Sequence, residues 1–135
     1  MGDAAIGGVH TNHWSADYKH ERNQRFIKSY LAKYGDGPSA YAVANYDAIG
    51  LIARAMKDVG GNTSDMLAVS RMMRRGGLAS VRGDLKFNVN GFLIQPYYRR
   101  EVVRGADGKP EIRGADFVFE RPDSYGDKCP MDKRI

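Results

Sequence analysis

Three groupings of reactive side chains invite a chemical reading. His10, His13, Asp17 and His20 fall within a short stretch, and Asp17 and His20 are one helical turn apart. A closed zinc site needs four such ligands with supporting hydrogen bonds. Histidines facing solvent or bonded within a loop account for them as well, so no metal and no cofactor is assigned. Tyr46 and Asp47 could be imagined as an acid–base pair. Adjacent helical residues point about 100° apart, and no third group stands beside them. The tripeptide Arg82-Gly83-Asp84 matches an adhesion signal, but a turn leading into a strand explains it too. With no phosphate loop and no GxSxG nucleophile elbow, the chain reads as a non-enzyme.

Composition narrows the classes further. The 135 residues are 42% hydrophobic and 27% charged, a globular balance sufficient for one ordinary core. No run approaches the roughly 20 apolar residues of a membrane span. The net charge is +5, but the basic residues are spread along the chain, and the densest cluster, "RMMRRGG", sits at a helix end that favours cations. A nucleic-acid partner is therefore not expected. The single cysteine, Cys129, reads as a free thiol or as one whose partner lies on another chain or on sequence outside these 135 residues. The opening "MGDAAIGGVH" has neither the basic region nor the apolar core of a signal peptide.

The elements that would position these residues follow from periodicity. "AAIGGV" reads as a buried strand. Ser15 or Asp17 could cap a helix that runs to about Tyr34 and is stopped by Gly35. Ser39 could cap a second helix with a main apolar stripe of Ala42, Tyr46, Ile49, Ala53 and Met56. A neighbouring stripe is Tyr41, Asn45, Ala48, Ile52, Ala55 and Val59, which leaves a narrow polar side near Asp47, Arg54 and Asp58. Thr63 or Ser64 would cap a third, shorter helix. From Leu78 the pattern changes to strands, with turns at Asn90-Gly91 and Asp107-Gly108, and Pro96 marks an edge or bulge. The expected organisation is an α/β domain over residues 1–121 and a polar tail over 122–135. Its sheet is expected to be parallel and flanked by helices, with a C-terminal β-hairpin region.

The order of "F..SYLAKYG", "P.AYA..NYDAIGLIARAM" and "VRGDLKFNVNGF" resembles the C-terminal part of a type I periplasmic solute-binding protein. More narrowly it is similar to the branched-chain amino-acid binding family of ABC transporters. The resemblance covers about residues 4 to 120. It implies that the chain is a fragment of a longer, two-lobed binding protein located in the periplasm. Such a protein holds a small solute, such as an amino acid or a related carboxylate, amide or aromatic acid, in an interlobe cleft and docks on a membrane permease. It also places candidate ligand-binding residues: His13 and Trp14 in the loop after a crossing strand, and Tyr41, Asn45 and Tyr46 at the start of the second helix. Tyr46 is equally a core residue on the main stripe. A fragment of this kind is expected to expose apolar surface and to self-associate. The alternative is a free-standing ligand-sensing or protein-interaction α/β module.

Overall fold

The long apolar helix turns a different face inward from the one its stripes predict. A computed structural model describes residues 2–128. Among them, helix α1 is Glu21–Tyr34, α2 is Ala40–Asp58 and α3 is Met66–Arg74. The strands are β1 (Val9–Asn12), β2 (Ala79–Ser80), β3 (Gly83–Asp84), β4 (Lys86–Phe87), β5 (Leu93–Arg104) and β6 (Pro110–Arg121). The buried residues of α2 are Val43, Asp47, Leu51 and Ala55, spaced by four. Tyr46, Ile49 and Met56 of the predicted stripe are exposed. The helix is apolar over most of its circumference, so periodicity alone could not select the stripe that packs. A buried partner for Asp47 decided it.

The described chain divides into two compact units, and it passes between them at 40–41, 95–96 and 120–121. Unit 1 comprises 2–40 and 96–120; unit 2 comprises 41–95 and 121–128. In unit 1, Trp14, Phe26 and Tyr98 form the buried apolar set. In unit 2 the set is Val43, Leu51, Ala55, Val69, Val81 and Leu85.

Helix starts differ from the sequence reading in instructive ways. Helix α1 begins after His20, which makes no side-chain cap bond. Ser15 and Asp17 are spent elsewhere: the Ser15 hydroxyl donates to the Gly114 carbonyl at 2.6 Å, and Asp17 accepts from the Gly114 N–H at 2.7 Å. Both therefore pin the loop to β6 instead of capping. Gly35 ends α1 as expected, with φ 74° and its N–H donating to the Leu31 carbonyl. Helix α3 is capped by Asp65, not by Thr63 or Ser64; its carboxylate accepts from the Ala68 N–H at 3.0 Å. Arg71 and Arg74 lie in its last turn, where the helix dipole favours them.

The α/β class holds, but the sheet is not the parallel one expected. Strand β5 pairs antiparallel with β1 and with β4, and β2 pairs antiparallel with β3. For the strands after α3 the reason is connectivity: parallel neighbours need a crossover, usually through a helix, and these strands are joined by short turns. Strand β1 precedes the three helices, so its antiparallel pairing with β5 is a long-range choice that connectivity does not set. The predicted C-terminal hairpin is present as β5 and β6, closed where the Gly105 N–H donates to the Lys109 carbonyl at 2.7 Å. Pro96 falls between the residues of β5 paired to β4 (93–94) and those paired to β1 (98–101), where no ladder donor is demanded. "AAIGGV" is mostly not strand: Gly2–Ala5 is a 3₁₀ turn, Gly7 has φ 86°, and β1 starts at Val9. Cys129 lies outside the described residues.

Candidate functional site

In unit 2, the first turns of α2 carry Tyr41 and Asn45 one turn apart on one side, with Tyr46 about 100° round the helix from Asn45. Tyr41 is 83% exposed and Tyr46 is 57% exposed. The Asn45 amide donates back to the Tyr41 carbonyl at 2.8 Å, which steadies its head on the helix surface. The side of Tyr41 and Asn45 thus combines a phenol ring with an amide, a pair suited to a small planar or amphipathic ligand. Of these three predicted residues the structure brings Tyr41 and Asn45 together, while Tyr46 lies round the helix on the side of Ile49.

His13 and Trp14 belong to unit 1. The His13 ring meets Tyr97 edge-on with centroids 6.4 Å apart, and Tyr97 stacks on Phe119 at 4.9 Å. Trp14 is only 3% exposed. Its indole N–H donates to Asn23 Oδ1 at 2.7 Å, and the Asn23 amide donates in turn to the Ser15 and Tyr18 carbonyls. Trp14 is therefore held as a rigid wall whose polar atom is already satisfied. The Tyr98 phenol nearby is pushed up to about 12 by its burial, helped by Tyr18 and Glu120 and by a hydrogen bond to Tyr18. It stays a neutral donor across the physiological range.

Two charged groups escaped the sequence reading. Asp47, placed on the polar side of α2, is 2% exposed. It accepts from Ser80 Oγ at 2.6 Å, from the Val81 N–H at 3.3 Å and from Arg82 Nε at 2.8 Å. Arg82 Nη1 continues the network to Gln95 Oε1 at 2.7 Å. This carboxylate is thus tied to three donors inside unit 2. Arg82, being 7% exposed, does not present an adhesion tripeptide. The second group, Arg100, is treated below. The spacing of 43, 47, 51 and 55 was the one available signal for Asp47; nothing in the local sequence marks Arg82 as its partner. Among the described residues no three His, Cys, Asp or Glu side chains are gathered to hold a metal ion, and no helix is long and apolar enough to cross a membrane.

The model of a family described as "Periplasmic binding protein" matches residues 1–109. The chain belongs to the periplasmic binding protein family. A Leu/Ile/Val-binding protein homologue of Brucella abortus is 33% identical over 110 residues, covering 80% of this chain and 29% of its own length. An ABC-transporter solute-binding protein of R. palustris, solved in complex with benzoate, is similar in structure with TM-score 0.76 and 31% identity. That likeness covers 90% of this chain and 33% of the other. A further solute-binding protein, from Rhodopseudomonas palustris BisB5 with 3,4-dihydroxybenzoic acid, gives TM-score 0.72 and 29% identity over 90% of this chain and 32% of its own. This periplasmic binding protein chain thus has the type I fold of those relatives and spans about a third of their length.

Proposed function

We propose that the chain acts within the solute-binding component of an ABC transporter, in the periplasm, delivering a small carboxylate to a membrane permease. The observation that carries the reading is the 31% identity and TM-score of 0.76 to a benzoate-binding protein over 90% of the chain. The solute is an aromatic acid or a branched-chain amino acid, and no catalytic step is involved. In unit 2 the candidate contacts are Tyr41 and Tyr46 through their rings and Asn45 through its amide; in unit 1 the candidate is His13, with Trp14 as the buried wall beneath its loop.

A ligand that binds only the folded chain raises its unfolding temperature with the logarithm of its concentration once that concentration exceeds Kd. Thermal unfolding with leucine, benzoate and 3,4-dihydroxybenzoate is expected to show such a rise with at least one of them, beyond that of sodium chloride at the same ionic strength. Tyr46→Ala or Asn45→Ala should reduce that rise. The absence of a concentration-dependent rise with all three overturns the reading.

We also propose that this chain self-associates through the apolar face of α2, which presents Tyr46, Ile49 and Met56 to solvent.

A further inference from the structure

Arg100 is a buried cation without a counter-ion in contact among the described residues. It stands on β5 opposite His10 of β1, and two residues from Tyr98, so Arg100 and Tyr98 emerge on one face of the strand. Both are buried, with Arg100 7% exposed. Its guanidinium carbon lies over the Trp14 ring, 5.9 Å from the centroid. Its Nε is buried and has no hydrogen-bond partner among the described residues. The acid that acts on it is Asp17, but at a distance. The Asp17 carboxylate is engaged with the Gly114 N–H at 2.7 Å and with Arg113 at 3.7 Å. Burial holds the Arg100 pKa below its usual value, with Asp17 opposing the shift.

Buried charges in folded proteins are normally paired or fully hydrogen-bonded, because desolvation otherwise goes uncompensated. The Trp14 face offsets part of that cost, but it cannot accept from Nε. We propose that Arg100 is an anion-binding residue that takes the carboxylate of a small monocarboxylic acid on the guanidinium that Trp14 holds in place. A carboxylate matches the planar donor fork of arginine. The negative charge of Asp17 in the same neighbourhood selects against more highly charged anions. This goes beyond the solute reading above, since none of the five residues named there supplies a lasting positive charge.

Trp14 is the only tryptophan of the chain, so its fluorescence reports on this site directly. The test titrates the chain with sodium acetate, with sodium benzoate and with sodium chloride, each at the same ionic strength. Acetate and benzoate are expected to give a saturable change that chloride does not reproduce. Arg100→Met is expected to abolish the change. Arg100→Lys should weaken it by about tenfold or more, because an ammonium lacks the planar fork. If Arg100→Met loses its native circular dichroism, the Lys variant carries the comparison. A flat acetate titration overturns the proposal. So does an equal response to chloride, an undiminished response in the Lys variant, or a response to benzoate alone. The solute reading fails separately, by its own thermal assay and its Tyr46 and Asn45 variants.

Discussion

The Asp47 carboxylate accepts three hydrogen bonds in a site from which water is nearly excluded. Asp47→Asn would leave the Arg82 guanidinium buried without its charge partner. Breaking a buried pair in this way costs about 3–5 kcal/mol, whereas replacing both partners by apolar groups is often neutral. Asp47→Leu and Arg82→Met should each lower stability by that order, and the two combined should cost less than the sum of the singles. Urea unfolding followed by circular dichroism checks this; strict additivity would refute the coupling. The pair was illegible in the sequence because its members are 35 positions apart and bond only once the chain has folded. The opposite holds for Tyr41 and Asn45, whose common side follows from the geometry of a single helix. Arg100 was missed for the same reason as Arg82: its meaning depends on what covers it.

At the scale of elements, α3 shows which local signals can be trusted. The segment "TSD" sets Thr63, Ser64 and Asp65 in succession before the helix, and the sequence points to the first two. Only Asp65 has its side chain on a free N–H of the first turn, that of Ala68. Asp65→Ala should therefore destabilise the chain by about 1 kcal/mol. Thr63→Ala and Ser64→Ala should stay within about 0.5 kcal/mol, as surface changes usually do. Comparable losses for all three in thermal unfolding would remove the assignment. Helix existence, the Gly35 stop and the β5–β6 hairpin were readable, because each rests on short-range periodicity or turn chemistry. Strand direction was not, since pairing is a long-range choice. Gly76 is a further case. At φ 63°, a Cβ there would stand 2.5 Å from the Leu85 carbonyl oxygen, a requirement that no neighbouring residue announces.

For the whole molecule, the decisive property is the apolar surface left on α2. Ile49 is 67% exposed, with Tyr46 and Met56 beside it on the same side of the helix. The chain spans about a third of the length of its relatives. A charged residue on that face should suppress association without touching the buried stripe. Ile49→Lys is thus expected to shift sedimentation toward the monomer at concentrations where the parent chain is larger. A parent chain that sediments as a monomer at every concentration would count against the self-association proposal.

The burial of Arg82 also makes this residue a clock. Trypsin cuts after arginine, but only where the backbone can unwind into its cleft. Arg75 is exposed on the surface of unit 2, while Arg82 is held by Asp47 and Gln95. Digestion should sever the chain after Arg75 early and after Arg82 only when that unit opens. The lag between the two cuts, read by mass spectrometry, times the breathing of unit 2.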